Sequence, residues 1–139
     1  MKGIQTPIQG WLLSILLLNL VSTGIHYWDN YVGFDHYPMP AWITPNGVWI
    51  SWLVLTVFGC VGYWLYRQQK FWLAYACLAI YAIAGVSTPG HYVYAPLNHF
   101  SLKMNVMILS DGLVGASLIA FLVWSVVVDK PWQGAQSLT

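Results

Sequence analysis

The chain has 139 residues, a length typical of a single domain. Hydrophobic residues make up 58% of it and charged residues only 6%, whereas a soluble globular protein carries about 25% charged residues. Because so few charged residues cannot cover a surface that faces water, the composition predicts a protein that is embedded in the lipid bilayer. The net charge of +1 gives no electrostatic case for nucleic-acid binding.

Four stretches have the length and apolarity of a membrane-spanning helix, which needs about 20 mostly apolar residues. They cover residues 9–27, 45–66, 71–88 and 102–128. Thr44 before Pro45 predicts the N-cap and first position of the second helix. Gly90, after Pro89, predicts a left-handed cap that ends the third. The sequence therefore predicts one all-α domain over residues 1–139, a transmembrane four-helix bundle with up-down-up-down topology.

The cationic residues predict how the bundle is oriented. One of the five, Lys103, lies near one side of the predicted bundle, and the other four lie at the opposite side: Lys2, Arg67, Lys70 and Lys130. The positive-inside rule places the group of four in the cytoplasm, together with both termini. The loops that carry the histidines then face the non-cytoplasmic side. The polar run from Arg67 to Lys70 is short, which predicts a tight antiparallel hairpin between the second and third helices.

Asp111 is a carboxylate well inside a predicted span. It lies about nine residues into the fourth helix, roughly a dozen ångströms from its outer end at about 1.5 Å per residue. Because an ionisable group at that depth is costly, it is expected to face the bundle interior and to mark a functional site. The first helix offers a matching polar face, since its polar residues follow helical spacing: Asn19, Ser22 or Thr23, His26, Asp29 and Asn30.

These residues, with His91 just beyond the third helix and Lys103 at the start of the fourth, define a predicted site. We expect His26, Asp29, His91 and Asp111 to converge in the outer half of the bilayer. The predicted ligand-binding residues are His26, Asp29, Asn30, His91, Lys103 and Asp111. The loop over residues 37–42 is stiffened by two prolines and is expected to cover the mouth of the bundle.

Several chemistries suit this set of residues. His26, His91 and Asp111 would suit a transition metal such as iron, zinc or manganese, and two opposed histidines would also suit haem. His26 and Asp111 would serve as acid and base in a membrane isomerase or oxidoreductase that acts on a lipophilic substrate. The same groups would bind a small polar ligand or lipid headgroup in a binding or accessory protein, the interpretation favoured here. In a structural subunit of a membrane complex they would only lock helices together.

Several short segments carry a resemblance to known sequences. They are His-Tyr-Trp-Asp-Asn at 26–30, Tyr-Pro-Met-Pro-Ala-Trp-Ile at 37–43, Gly-Tyr-Trp-Leu-Tyr-Arg at 62–67, Gly-His-Tyr at 90–92 and Ser-Leu-Lys-Met-Asn at 101–105. Over most of its length the chain resembles a group of small bacterial, especially cyanobacterial, four-span membrane proteins. The resemblance implies a bacterial inner or thylakoid-type membrane and no particular activity. The architecture alone is also loosely similar to sterol-isomerase bundles of the emopamil-binding class.

Overall fold

The computed structural model describes residues 7–136, which form helices and connecting turns and contain no β-strand. In chain order the helices are α1 (Pro7–Val32), α2 (Pro45–Arg67), α3 (Phe71–Val86), α4 (His91–Tyr94), α5 (Leu102–Trp124) and α6 (Pro131–Gln136). Helix α5 continues into a π-helical turn over Ser125–Asp129. Short 3₁₀ turns lie at Phe34–His36, Thr88–Gly90 and Leu97–His99.

Four stretches are long and apolar enough to cross a membrane, which confirms the predicted all-α four-span architecture. They are Pro7–Val32, Pro45–Arg67, Phe71–Tyr94 and Leu102–Asp129. The first helix extends beyond the predicted 9–27 at both ends. The third stretch passes the predicted end at residue 88 because a 3₁₀ turn and α4 continue it. Lys2, one of the cations used to predict the orientation, lies outside the described residues.

Of the two helix ends predicted from the sequence, one is confirmed and one is wrong. Thr44 caps α2 as expected, since its Oγ1 accepts a hydrogen bond from the backbone N–H of Gly47 at 3.1 Å. The left-handed cap predicted at Gly90 is wrong, because Gly90 has right-handed values of φ −58° and ψ −20°. A threonine side chain caps the carboxyl end of α3 instead. The Thr88 hydroxyl contacts two carbonyl oxygens, that of Gly85 at 2.8 Å and that of Ile108 at 3.0 Å.

A tight turn joins α2 to α3 and confirms the predicted hairpin. Gln69 adopts the left-handed conformation, with φ 60°, at the residue where the chain reverses. The backbone N–H of Lys70 donates to the carbonyl of Leu65 at 3.0 Å, and that of Gln69 donates to Tyr66 at 3.0 Å. These hydrogen bonds satisfy the last carbonyl groups of α2, as in other left-handed helix ends.

The four long helices form a ring in which α1 and α3 each pack against both α2 and α5. Helices α3 and α5 touch backbone to backbone where they cross. A Cβ atom on Gly85 would lie 2.6 Å from the carbonyl oxygen of Asp111 and 2.9 Å from the Cα of Gly115. Small residues allow this close approach, which is how helices associate in lipid. The crossing therefore fixes Asp111 beside the end of α3.

Two apolar clusters lie on either side of the buried polar residues. The larger includes Leu12, Leu78 and Leu118 and lies toward the turn at Arg67. The smaller is built on Tyr37, Phe100 and Met104. We call the end of the bundle formed by residues 33–44 and 87–101 the histidine end, because His36, His91 and His99 lie there.

Candidate functional site

The buried polar residues of α1 share one helical face, as the sequence predicts: Asn19, Thr23, His26 and Asn30. The first two hold the helices together. The Asn19 amide donates to the carbonyl of Val114 in α5 at 2.9 Å, and the Trp52 indole of α2 donates to Thr23 at 3.0 Å. Hydrogen bonds of this kind contribute about 0.6 kcal/mol each within a bilayer. Asn19 and Thr23 are therefore packing residues, and His26 and Asn30 carry the site.

His26 and Asp111, two of the four residues that the sequence expects to converge, form a hydrogen-bonded pair across α1 and α5. Nδ1 of His26 lies 2.8 Å from Oδ2 of Asp111, and both side chains are completely buried, with 0% exposure. The Ser22 hydroxyl donates to the other carboxylate oxygen, Oδ1. Both oxygens of the carboxylate therefore have partners, which compensates for its removal from water.

The other nitrogen of His26 is covered by aromatic rings. Among residues 7–136, Nε2 is one of the buried polar atoms that lack a hydrogen-bond partner. The ring of His91 lies 5.6 Å from the His26 ring, measured between centroids, and that of Tyr37 lies 5.9 Å from it. Phe100 packs against both of these rings, at 6.2 and 6.3 Å. We call Tyr37, His91 and Phe100 the aromatic cover.

Asp29 forms a second polar group nearer the surface. Its Oδ1 accepts from the Lys103 ammonium at 2.6 Å, and its Oδ2 accepts from the Tyr37 hydroxyl at 2.7 Å. Burial of the Tyr37 phenol and its hydrogen bond to the carboxylate of Asp29 raise the pKa of Tyr37 above its ordinary value. Asp29 and Lys103 therefore anchor the aromatic cover and do not join the pair formed by His26 and Asp111.

A cavity of about 500 Å³ opens beside the aromatic cover, within the range of roughly 300–1,000 Å³ that is typical of small-molecule sites. Its wall combines the 38–44 loop, the start of α2 and the segment from Ser87 to Tyr94. Two predicted ligand-binding residues, Asn30 and His91, line it; the other four do not. Pro38, Met39 and Pro40 form part of the wall, so the proline-stiffened loop does cover this part of the bundle.

No family model, curated protein or solved structure matches the chain. The side chains of the site form three neighbouring groups. They are the buried pair of His26 and Asp111, the aromatic cover with Asp29, and the residues that line the cavity.

The predicted metal ligands are only partly brought together. In the described part of the chain, no group of three or more His, Cys, Asp or Glu side chains is arranged to hold a metal ion. The carboxylate of Asp111 is already hydrogen-bonded to Nδ1 of His26. The ring of His91 packs against the ring of His26, with 5.6 Å between their centroids. His36 and His99 are exposed, in separate turns. The metal and haem interpretations stay predictions from the sequence.

Sequence reasoning missed Tyr37 as a site residue. It lies in a loop, yet it is buried, and it connects Asp29 to the rings above His26. Its position before Pro38, at the start of the stiffened segment, is the one signal that the sequence offers.

Proposed function

We propose that this protein is a multi-pass membrane binding protein whose cavity at the histidine end holds one small lipophilic molecule. The observation that carries the proposal is the cavity of about 500 Å³, whose largely apolar wall contains a few polar side chains, among them Asn30 and His91. Asn30 lines the cavity and is 4% exposed, and in the described structure its Oδ1 has no hydrogen-bond partner.

The apolar part of the wall supports an occupant that arrives through the lipid. Met39, Ile43, Val48 and Tyr94 contribute to it, and an apolar wall with few polar groups is typical of ligand sites. We further propose that the histidine end faces the non-cytoplasmic side of a bacterial inner or thylakoid-type membrane. The cations Arg67, Lys70 and Lys130 support this sidedness because they lie toward the opposite end.

Substitution of Gly90 tests the binding role. Gly90 lines the cavity, a Cβ atom added there meets no atom within 4 Å, and its φ of −58° suits any residue. Gly90→Phe therefore fills the cavity without straining the backbone. Gly10→Phe is the matched control, since its Cβ also meets nothing and Gly10 lies outside the cavity wall.

The measurement is mass spectrometry of the organic extract of protein purified from membranes. We expect one molecule per chain from the wild type and from Gly10→Phe, and a loss of about 10-fold or more from Gly90→Phe. Equal occupancy in Gly90→Phe, or no stoichiometric molecule in the wild type, would contradict the proposal.

A membrane enzyme is the second candidate, and one observation favours it. With Asp111 on Nδ1 and nothing on Nε2, His26 has the arrangement of a general base oriented by a carboxylate. It ranks second because His26 is fully buried beneath the aromatic cover and does not line the cavity. His26→Gln separates the two functions. Catalysis predicts that the variant retains a different molecule, the unconverted substrate, whereas binding alone predicts the same molecule as in the wild type.

A further inference from the structure

We infer that the aromatic cover is a gate between the cavity and His26, and that His91 is the side chain whose movement opens it. The inference concerns access to the buried imidazole of His26, so it goes beyond the proposed binding function. It follows from the position of His91, which belongs both to the cover and to the cavity wall. Opening of the gate would expose to the cavity an imidazole that a carboxylate already orients.

The barrier between His26 and the cavity is thin. His26 is 0% exposed and does not line the cavity, whereas His91 lines it and lies 5.6 Å from the His26 ring. In the described part of the chain, Nε2 of His26 is a buried atom without a hydrogen-bond partner. Tyr27 also lines the cavity beside His26, but it is part of α1 and its hydroxyl donates to the carbonyl of Ala84 at 3.3 Å. His91 is therefore the side chain that can move aside.

A chain of contacts that begins at the surface holds His91 in place. Oδ1 of Asp29 accepts from the Lys103 ammonium at 2.6 Å, and Oδ2 accepts from the Tyr37 hydroxyl at 2.7 Å. The ring of Tyr37 packs on that of His91, with 5.2 Å between centroids. The next residue, Pro38, has a backbone carbonyl that interacts with the His91 imidazole. A change at Lys103 is therefore transmitted to His91 through Asp29 and the loop.

The outer contact of this chain is weaker than the inner one. The Lys103 side chain is 62% exposed and that of Asp29 is 21% exposed, and an ion pair in contact with water contributes little because solvent screens it. The hydrogen bond from Tyr37 to the carboxylate is charge-assisted, and Tyr37 is only 3% exposed. We therefore expect loss of the Tyr37 hydroxyl to open the gate further than loss of the Lys103 charge.

The segments that carry the gate are short, unlike those that carry the buried pair. His91 begins α4, which has four residues, and Tyr37 follows a 3₁₀ turn of three residues. Such segments have few backbone hydrogen bonds and are the parts of a fold that open at low cost. His26 and Asp111 lie on the long helices α1 and α5. Movement of the cover therefore leaves the pair in place.

Diethylpyrocarbonate, a small uncharged reagent that acylates an unprotonated imidazole nitrogen, measures access to His26. The purified full-length protein in detergent is treated briefly, and the ethoxycarbonyl group on each histidine is located by mass spectrometry of its peptides. His36 and His99 are exposed, so they serve as reference histidines in the same sample. We expect His26 of the wild type to react about 10-fold or more slowly than the references, because the cover is closed.

Three variants test the contacts that hold the gate. Tyr37→Phe keeps the ring but removes the hydroxyl, and it should raise the rate at His26, relative to the reference histidines, by about 10-fold or more. Lys103→Met removes the charge of the exposed ion pair and should raise that ratio by up to about 5-fold. Lys70→Met is the matched control. Lys70 is an exposed cation at the opposite end of the bundle, so its substitution should leave the ratio unchanged.

Gly90→Phe tests whether the reagent arrives through the cavity. In the double variant with Tyr37→Phe, the added ring fills the cavity, so the rate at His26 should return toward that of the wild type. A protein that had merely lost its fold would be labelled at His26 whether or not the cavity is filled. The double variant therefore separates opening of the gate from unfolding.

Three results would overturn the inference. A His26 that reacts as fast as the references in the wild type would mean that the cover is not closed. Equal rates at His26 in the wild type, Tyr37→Phe and Lys103→Met would mean that these contacts do not hold the gate. Undiminished labelling in the double variant would mean that the reagent does not pass through the cavity. None of these results depends on the occupant of the cavity, so the extract of Gly90→Phe tests the binding role separately.

Discussion

His26 on α1 and Asp111 on α5 lie 85 positions apart in the sequence, and their side chains meet at 2.8 Å in the buried centre of the bundle. Each is the partner that makes burial of the other tolerable, because an ionisable group in hydrocarbon needs a hydrogen-bonded neighbour. The contact also sets how α1 and α5 are rotated against each other. His26 in turn supports the aromatic cover that separates this pair from the cavity.

Replacement of Asp111 by Asn should destabilise the protein by about 1–3 kcal/mol. The amide retains the size of the carboxylate but cannot accept from Ser22 and His26 at the same time, so one buried donor loses its acceptor. Asp35→Asn is the matched control. Asp35 is exposed, so its substitution should change stability by less than about 0.5 kcal/mol. Unfolding in detergent micelles measures both, and equal stabilities would show that the buried pair is not structurally important.

Replacement of Tyr37 by Phe should change how stability depends on pH. The fold favours the neutral phenol, because burial and the Asp29 carboxylate raise the pKa of Tyr37 above the ordinary value of 10.0. The contribution of Tyr37 is therefore fully present below pH 10 and is lost as the pH rises above that value, through the raised pKa of the folded state. Tyr37→Phe should be less stable than the wild type at neutral pH, and the difference should shrink at alkaline pH. A difference that stays constant over this range would contradict the assignment.

Replacement of Gly85 by Ala should destabilise the bundle by about 1–3 kcal/mol, because the added methyl group would press on the backbone of α5 at Asp111 and Gly115. The control is Gly10→Ala in α1, where the methyl group meets nothing within 4 Å. That change should be neutral or stabilising by up to about 1 kcal/mol, since Ala is the better helix former. If the two substitutions have equal effects on thermal unfolding, the close α3–α5 crossing does not exist.

The orientation of the bundle can be measured with a membrane-impermeant maleimide on intact cells. In a background with Cys60→Ala and Cys77→Ala, single cysteines are placed at the exposed positions Asp35 and Gln68. We expect labelling of Asp35→Cys and protection of Gln68→Cys, with both labelled after the cells are opened. The reverse pattern would place the histidine end in the cytoplasm and contradict the proposed sidedness.

Some features of the site follow from the spacing of residues within one helix. The buried face of α1 is an example: the helical repeat brings Asn19, Thr23, His26 and Asn30 to one side without reference to the rest of the chain. Others depend on contacts between distant segments. Asp29 belongs to the same helical stretch, yet its partners are Tyr37 from a loop and Lys103 from α5, and no local rule selects them.

The sequence by itself determined that four helices are apolar enough to cross a bilayer, that Thr44 caps α2, that a tight turn follows Arg67, and that Asp111 faces the interior of the bundle. These properties depend on hydrophobic length, on capping chemistry and on the cost of a lone ionisable group in hydrocarbon. Only the tertiary structure decided that Gly90 stays right-handed and that the cavity lies beside the buried pair, lined by Asn30 and His91. The position of a cavity depends on the rotational orientation of each helix in the bundle and on where the loops pack. Both are determined by contacts between residues that are far apart in the chain.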